Sequence, residues 1–373
     1  MIKSLGIYVH VPFCAKKCRY CDFTSHTPAD ENEVASYFDA LKEQIMKAAF
    51  VYRNEYYVDT IFFGGGTPSF VKSDYITSTL ACIKQNWNVA KDAEISLEAN
   101  PGTIDKFKLR DYRRAGFNRI SIGVQSFDNS VLWRLGRIHN SAVAVTAVEN
   151  AKACGFNNVG IDLMLGVPGQ SIDSWRSSME CALSLGLQHI SFYSLQIEEG
   201  TPLYEDYKAG RETTPDWEEN RQMYHAAREM LAEAGYHHYE ISNAAMPGFE
   251  CRHNLKYWMM QDYLGFGESA WSFIHGKRGE LVFNEDGSCD INANASTEEL
   301  RGDFIFTQFR LVDGFDPVDY KNLFGEDFEE RYEQVLAYHY DNGLLAKSNG
   351  KIHFTDIGLN YTNPIIERFL NYE

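Results

Sequence analysis

The sequence predicts an α/β protein built on a parallel sheet, because short apolar runs rich in β-branched residues alternate with longer amphipathic segments from Ile7 to about Tyr193. Repeated βα units of this kind give parallel strands joined by right-handed crossovers, arranged as a barrel or as a doubly wound sheet. The chain has 373 residues, of which 44% are hydrophobic and 14% aromatic, and this is ample for a large buried core.

Six strands and five helices are predicted in the first half of the chain. The strands are Ile7–Val11, Thr60–Phe63, Glu94–Glu98, Arg119–Val124, Val159–Met164 and His189–Tyr193. The helices between them are Glu33–Tyr52, Ser73–Asn86, Ile104–Ala115, Ala142–Cys154 and Ile172–Leu185. Gly116 and Gly186 each follow the last helical residue, as is typical of helix C-termini.

The remaining chain predicts two further parts after a barrel region at residues 1–236. A long helix is expected from Thr214 to Ala234, and residues 237–295 form a Gly- and aromatic-rich connecting region. Residues 296–373 predict a small helical domain of winged-helix-like shape, with a helix at Thr297–Leu311 and a strand at Lys351–Thr355. This last part has fifteen acidic and seven basic residues, which favours a packing or dimerisation role over DNA binding.

The formal net charge of −17 argues against a nucleic-acid partner, because binding to a phosphate backbone is driven by Lys and Arg. No stretch approaches the roughly twenty apolar residues of a transmembrane helix, and the N-terminus lacks the pattern of a signal peptide. We therefore expect a cytoplasmic protein without a transmembrane segment.

The eight cysteines divide into five single residues and one group of three. In a reducing compartment they do not indicate a disulfide framework. The single cysteines are expected to be inert, buried hydrophobic residues: Cys82, Cys154, Cys181, Cys251 and Cys289.

Cys14, Cys18 and Cys21 are separated by three and two residues, so one loop can bring three thiolates to one metal centre. A structural zinc site is the alternative, but it normally closes its tetrahedron with four ligands in two separated pairs. His26 lies near enough in sequence to be a fourth ligand, although no second Cys/His pair with suitable spacing is evident. The spacing favours iron and sulfide over zinc.

A [4Fe-4S] cluster held by three thiolates leaves one iron without a protein ligand. A small molecule with amino and carboxylate groups, such as S-adenosylmethionine, can chelate that iron, and the resulting one-electron chemistry belongs to the cofactor pair. Lys16, Lys17 and Arg19 place positive charge beside the loop, which favours thiolates over thiols.

Unusual residues also follow the predicted strands. Gly64-Gly-Gly-Thr-Pro68 follows the second strand, Glu98 ends the third, Gln125 follows the fourth and Asp162 lies within the fifth. Because ligand sites in both candidate architectures lie at the carboxyl ends of parallel strands, these residues are expected to face one mouth.

The run Tyr8-Val-His-Val-Pro-Phe-Cys14 with Cys18, Cys21 and the glycine-rich segment resembles radical S-adenosylmethionine proteins of the oxygen-independent coproporphyrinogen III oxidase group. The resemblance covers nearly the whole chain and, within the group, is strongest to the haem chaperones. It is carried further by Cys21-Asp-Phe23, Cys251-Arg-His-Asn-Leu-Lys-Tyr-Trp258 and Asp262-Tyr-Leu-Gly-Phe-Gly267. It implies a partial (βα)6 barrel of the radical SAM type, a small helical C-terminal domain and a role in porphyrin metabolism.

The resemblance also implies roles for site residues. Tyr8, Gly65 and Glu98 are expected to lie beside the cluster and the first S-adenosylmethionine, with glycine letting the main chain approach the ligand closely. A second S-adenosylmethionine, as in the coproporphyrinogen enzymes, would meet Tyr20, Gly66, Thr67, Gln125, Arg137 and Asp162. Arg137 is the expected partner of its carboxylate.

Two departures from the decarboxylating enzymes favour a haem chaperone. Phe23 stands where those enzymes carry a further cysteine, and the chain begins almost directly at the first strand, without their N-terminal extension. We therefore expect no coproporphyrinogen dehydrogenase activity. The alternative is a radical enzyme, either that dehydrogenase or a related methyltransferase or cyclopropane-forming enzyme.

His253 is the first candidate for a haem contact, on the strength of the resemblance, and His10 and Cys251 are the runners-up. The implied partners are haem, an acceptor haemoprotein and a reductant for the cluster. A homodimer is also compatible with the aromatic C-terminal domain, and the resemblance leaves room for peripheral association with a membrane surface.

Overall fold

The computed structural model describes residues 2–284, 288–293 and 295–372. Within this part of the chain, one large sheet has twelve strands in the order β12-β11-β10-β9-β1-β2-β3-β4-β5-β6-β8-β7. Its strands are β1 (Lys3–Val11), β2 (Tyr56–Gly65), β3 (Val89–Ala99), β4 (Arg119–Gln125), β5 (Asn158–Leu165), β6 (His189–Ser194), β7 (His237–Glu240), β8 (Asn243–Ala245), β9 (Tyr263–Phe266), β10 (Trp271–Ile274), β11 (Lys277–Phe283) and β12 (Cys289–Ala293).

The six predicted strands are β1 to β6, and they pair in chain order in parallel. The prediction of an α/β fold with a parallel sheet is therefore confirmed. At one edge, β9 pairs with β1 in parallel, and β10 to β12 continue from it with antiparallel pairing. At the other edge, β8 pairs with β6 and β7 pairs with β8, both antiparallel. The described sheet is mostly parallel as a result.

Nine helices accompany this sheet in the described part of the chain. They are α1 (Glu31–Tyr52), α2 (Ser73–Asn86), α3 (Lys106–Ala115), α4 (Asn129–Arg134), α5 (Ser141–Ala153), α6 (Ile172–Ser184), α7 (Pro202–Lys208), α8 (Trp217–Glu233) and α9 (Arg252–Trp258). The predicted helix ends agree with the structure where a glycine stops the helix: Gly116 follows α3 with φ of 110° and donates its backbone N–H to Tyr112 and Arg113. The short helices α4, α7 and α9 were not predicted, and α9 corrects the expectation that region 237–295 contains no helix.

The C-terminal part is helical, as predicted, and contains a two-stranded antiparallel hairpin. Its elements are α10 (Thr297–Gln308), α11 (Pro317–Phe324), α12 (Phe328–Arg331), α13 (Glu333–Asp341), β13 (Leu345–Ser348), β14 (Lys351–Phe354), a 3₁₀ turn (Gly358–Asn360) and α14 (Thr362–Leu370). Its aromatic-rich core between residues 304 and 369 is separate from the core around the large sheet. The winged-helix shape stays a prediction.

The C-terminal part packs against β7. Ile241 donates its backbone N–H to the carbonyl of Arg310 at 3.0 Å. The Arg310 guanidinium lies 3.0 Å from the buried Glu240 carboxylate and 4.5 Å from the centre of the Trp258 ring. Region 237–295 thus supplies strands to both sides of the sheet, and the boundaries at 236 and 295 stay predictions.

Among the described residues, we find no helix that combines the length and the apolar character needed to span a membrane.

Candidate functional site

A cavity of about 500 Å³ lies at the carboxyl ends of β1 to β6 and brings together most of the predicted site residues. Those lining it are Cys14, Cys18, Tyr20, Cys21, Gly65, Gly66, Thr67, Glu98, Gln125, Arg137 and Asp162. Tyr8 and His253 do not line it. The volume falls in the range typical of small-molecule sites. We call this space the site cavity.

Cys14 is held by the main scaffold. Its backbone N–H donates to the carbonyl of His26 at 2.9 Å, and the neighbouring Phe13 carbonyl accepts from the backbone N–H of Thr67 at 2.9 Å. The Cys14 Sγ lies 3.4 Å from the Thr67 hydroxyl. Cys14 is therefore fixed between β1 and the glycine-rich segment after β2.

Arg137 reaches the second of the three cysteines, Cys18. Its Nη1 donates to the Sγ of Cys18 at 3.3 Å, while its Nη2 donates to the Gly123 carbonyl at 2.6 Å and to the side chain of Asn100. Arg137 was predicted as the partner of a carboxylate, and its contact with Cys18 is an additional feature that the sequence did not indicate.

Of the three positive charges predicted beside the cysteines, Lys16 and Lys17 line the site cavity, whereas Arg19 does not. Lys17 donates to the backbone carbonyl of Phe23 at 2.9 Å, and Arg19 is bonded to Asp206 and to the carbonyl of Arg134. Burial raises the pKa of the Cys21 thiol, and the opposing effect of Lys17 is smaller. The prediction that Arg19 supports the thiolates is wrong, because its guanidinium is occupied by other partners.

No three His, Cys, Asp or Glu side chains in the described ranges are gathered closely enough to hold a single ion. A four-iron cluster does not require such convergence, because each thiolate binds a different iron. His26, considered as a fourth zinc ligand, is bonded through Nε2 to Glu33 at 2.7 Å. The donor set of three cysteines around one cavity fits a cluster better than a closed zinc site.

The glycine-rich segment packs against the backbone that leads into Cys14. A Cβ on Gly66 would lie 3.0 Å from the carbonyl oxygens of Val11 and Phe13. Gly65 has φ of 109°, and a Cβ there would lie 2.6 Å from the His10 ring. Both positions need glycine for close approach, and the main chain here borders the site cavity.

Two carboxyl groups face the same cavity. Burial, and then the nearby Asp162, raises the pKa of Glu98 to about 8, although the Gly65 backbone N–H donates to its Oε2 at 3.3 Å. Burial likewise raises the pKa of Asp162, against a hydrogen bond from Ser121 at 3.2 Å. Glu98 is therefore poised to exchange a proton near neutral pH.

Gln125 has a positive φ of 67°, which is uncommon for a residue with a side chain. Its Oε1 accepts a hydrogen bond from the Tyr193 hydroxyl at 3.0 Å, and its side chain is buried at the edge of the site cavity. Backbone strain of this kind is concentrated at functional sites.

Tyr8 lies behind the site cavity. Its ring stacks on Phe62 and on His253, with ring centres 6.3 and 6.4 Å apart. Its hydroxyl is bonded to Nδ1 of His10 at 3.1 Å, and Nε2 of His10 donates to the Thr24 carbonyl at 3.0 Å. Both nitrogens of the runner-up His10 are thus engaged in the described structure.

His253 is fully buried on α9. Its Nδ1 is bonded to the Thr60 hydroxyl at 2.8 Å and its Nε2 to the Tyr257 hydroxyl at 2.7 Å. Burial, then Lys256 and Arg119, lowers the pKa of His253 to about 3, so the ring is neutral at physiological pH. A metal ligand must be a neutral imidazole with a free nitrogen, and here both nitrogens are already bonded.

The runner-up Cys251 is also buried, and burial raises the pKa of its thiol to about 12. Its Sγ lies 3.7 Å from Glu94, whose carboxylate also accepts from the backbone N–H groups of Arg252 and His253 at 3.1 Å each. Glu94 thereby caps the first turn of α9, which fixes His253 in its place.

Among the residues that sequence reasoning missed are Asn100, in the site cavity, and Arg119, near Asp162. Asn100 lines the site cavity and joins Thr67 to Arg137, donating to the Thr67 hydroxyl at 2.8 Å. Arg119 is buried at the start of β4, with Glu94, Asp162 and Cys251 as its neighbouring acidic groups. The Asn-Pro dipeptide after β3 and a charged residue opening an otherwise apolar strand were the available signals.

The chain is similar to known proteins both in sequence and in fold. Residues 8–182 match the Radical SAM superfamily, and residues 295–360 match the HemN C-terminal domain. A solved structure of coproporphyrinogen III oxidase (HemN) from Escherichia coli, described as a radical SAM enzyme, superposes with a TM-score of 0.82. It covers 100% of this chain and 91% of its own, at 22% identity, and therefore bears on the fold alone.

Among curated relatives, the protein named heme chaperone HemW from Bacillus subtilis (strain 168) is 32% identical over 97% of this chain and 98% of its own. Its namesake from Escherichia coli (strain K12) is 32% identical over 99% of both chains. The namesake from Synechocystis is 38% identical over 73% of this chain.

Proposed function

This chain belongs to the HemW family of the radical SAM superfamily, and from that membership we propose that it binds haem and passes it to an acceptor haemoprotein. The observation that carries the proposal is a similarity of about one third identity along nearly the whole chain to relatives named heme chaperones. Phe23, which lies at the site cavity, supports the same conclusion, because the resemblance implies a further cysteine at this position in the decarboxylating enzymes.

The superfamily implies a [4Fe-4S] cluster and S-adenosylmethionine. We propose Cys14, Cys18 and Cys21 as the ligands of the cluster, because all three line one cavity and Arg137 reaches Cys18. When bound, the cluster and S-adenosylmethionine supply one-electron chemistry. The chain itself contributes the cysteine loop, a guanidinium beside one sulfur and the polar walls of the site cavity.

For S-adenosylmethionine we propose two sets of contacts. Gly65 and Glu98 offer main-chain and carboxyl groups to a first molecule, with Tyr8 supporting them from behind. A second molecule would meet the other polar residues of the site cavity: Tyr20, Gly66, Thr67, Gln125, Arg137 and Asp162. The Nε of Arg137 is buried and has no protein partner among the described residues, which suits a further acceptor.

His253 is the proposed haem contact. Its two hydrogen bonds mean that iron can reach Nε2 only after the Tyr257 hydroxyl has moved away. Tyr257 belongs to the same seven-residue helix as His253, so its hydroxyl must turn away within α9, whose first turn is capped by Glu94. The proposal therefore includes a local rearrangement of α9 on haem binding.

We propose a cytoplasmic location, because cysteine thiolates and an iron–sulfur cluster require a reducing compartment. A reductant for the cluster, an acceptor haemoprotein and a second copy of the chain are the proposed partners, and peripheral association with a membrane surface belongs to the same proposal. The net charge of −17 disfavours a nucleic-acid partner.

The deciding experiment is anaerobic incubation of the reconstituted protein with haem and, separately, with coproporphyrinogen III and S-adenosylmethionine. The proposal expects stoichiometric haem retention, transfer to an apo-haemoprotein and no porphyrinogen turnover. Production of protoporphyrinogen would overturn it and favour the radical enzyme.

The cluster ligands are tested by iron and sulfide content after reconstitution. Cys14→Ser, Cys18→Ser and Cys21→Ser should each lose most of the cluster. Cys82→Ser and Cys181→Ser are matched controls, because these cysteines lie outside the site cavity. Zinc in place of iron in the wild-type protein, or equal iron content in all five variants, would contradict the assignment.

A further inference from the structure

The two halves of the cluster loop, residues 14–21, are held in different ways. Cys14 is bonded to the scaffold through His26 and Thr67, as described above. Cys18 and Cys21 are partly exposed, and the backbone bond between them, from the Cys21 N–H to the Cys18 carbonyl at 3.3 Å, is local to the loop. Apart from the bond that Arg137 donates to the Cys18 sulfur, the position of the second half therefore depends on the residues between these two cysteines.

Arg19 is bonded through its backbone to two separate helical segments. Its N–H donates to the Leu135 carbonyl at 3.1 Å, just after α4, and its carbonyl accepts from the N–H of Leu203 in α7 at 2.9 Å. Gly136 permits this approach, since a Cβ there would lie 2.9 Å from the Arg19 Cγ. The loop is thus inserted between α4 and α7.

The Arg19 side chain bonds to the same two segments. The guanidinium donates to the Arg134 carbonyl at 2.8 Å and forms an ion pair with Asp206 on α7. It also lies 3.6 Å from Glu212, whose side chain is 9% exposed and is shared with Arg134 at 2.6 Å. Such a fork of charged hydrogen bonds fixes direction as well as position.

Apolar packing supports this arrangement. Tyr20, the next residue, packs against a small apolar cluster separate from the main core, formed by Val131, Leu135, Met164, Val167, Leu195 and Leu203. Leu195 and Glu198 of the segment leading into α7 also line the site cavity. The segment that holds Arg19 is therefore itself a wall of the site.

We propose that Arg19 is a positioning residue that holds Cys18 and Cys21 in place for the cluster by fastening the second half of the loop to α4 and α7. The inference rests on the proposed cluster ligands and concerns how they are presented. Without the hydrogen bonds of the Arg19 side chain, the segment with Cys18 and Cys21 is less ordered before the cluster binds. Part of the binding free energy of the cluster is then used to order this segment, so the cluster is bound less tightly and dissociates faster.

The test compares reconstituted wild-type protein with Arg19→Ala, Arg19→Lys and Arg228→Ala. Arg228 is the matched control, because it forms a comparable ion pair with Asp356 away from the site. We expect chelator to bleach the visible absorption of the cluster about tenfold faster in Arg19→Ala, the effect of losing a charged hydrogen bond. Arg19→Lys should be intermediate, since lysine keeps the charge but not the fork.

The melting temperatures of the cluster-free proteins distinguish a positioning role of Arg19 from a general contribution to the stability of the fold. Cluster loss that merely follows a lowered melting temperature, or equal rates in Arg19→Ala and Arg228→Ala, would overturn the proposal. If Arg19→Ala does not fold, Asp206→Asn and Glu212→Gln remove the fork from the other side and should accelerate bleaching in the same way. A wild-type protein that takes up no iron would refute the cluster ligands themselves, a distinct outcome.

Discussion

Replacing Tyr257 with phenylalanine should tighten haem binding while weakening the fold. The Tyr257 hydroxyl is bonded to Nε2 of the buried His253 at 2.7 Å, and ligation of iron through that nitrogen must break this bond. A neutral hydrogen bond of this kind contributes about 1 kcal/mol net, so its removal should lower the haem dissociation constant about fivefold. The same change leaves Nε2 unpaired and should reduce the free energy of unfolding by about 1 kcal/mol.

Opposite signs for affinity and stability distinguish this explanation from general damage to the site. Haem affinity is measured by titrating the Soret band under anaerobic conditions, and stability by urea unfolding. Tyr263→Phe is the control, because the Tyr263 ring packs against Tyr257 at 4.5 Å between centres but belongs to β9. His253→Ala should abolish the tightening seen in Tyr257→Phe.

Unchanged or weaker haem binding in Tyr257→Phe would refute ligation through Nε2 of His253. If His253→Ala also retained haem with wild-type affinity, the iron ligand would lie elsewhere in the chain, and the bonds to Thr60 and Tyr257 would be those of an ordinary core histidine.

Three further outcomes are expected. Burial raises the pKa of Glu98 to about 8, and the proposed contact uses its ionised form, so the affinity for S-adenosylmethionine should rise by up to about tenfold per pH unit until about pH 8. In Glu98→Gln, the affinity measured by calorimetry should not change with pH over this range. Burial lowers the pKa of His253 from its ordinary 6.5 to about 3, so between these pH values the unfolded chain binds a proton that the folded chain does not. The free energy of unfolding should therefore fall by up to about 1.4 kcal/mol per pH unit on acidification. In urea titrations, His253→Gln should remove this contribution of His253 to the pH dependence. Gly66→Ala should lower the free energy of unfolding by about 1–3 kcal/mol and reduce iron retention, because the new methyl group would lie 3.0 Å from three backbone atoms. The control Gly302→Ala, within helix α10, should not lower the melting temperature.

The parallel core of the fold was predictable because its strands are apolar, regularly spaced and separated by full-length helices. The strands from β7 to β12 were missed for the opposite reason. β8 has three residues and β9 has four, too few to show a period, and β9 pairs with a strand more than 250 residues earlier in the chain. Such pairings depend on tertiary contacts rather than on local preference.

The mouth of the site could be predicted because the carboxyl ends of parallel strands meet at one edge. The hydrogen-bond partners of individual side chains could not be predicted from the sequence. Arg19 and Arg137 both carry a guanidinium, yet Arg19 bonds to acidic groups and Arg137 bonds to Cys18. The burial of His253 depends on Thr60 of β2, which the sequence gives no reason to place beside it.

The position of β1 in the sheet has a consequence for the order of events during synthesis. β1 leads directly into Cys14, and its two neighbours are β2 and β9, which ends at Phe266. A chain emerging from the ribosome therefore carries the strand that leads into Cys14 with one unpaired edge until Phe266 has been added. Delivery of iron and sulfide before that point would meet a strand that is still open on one side.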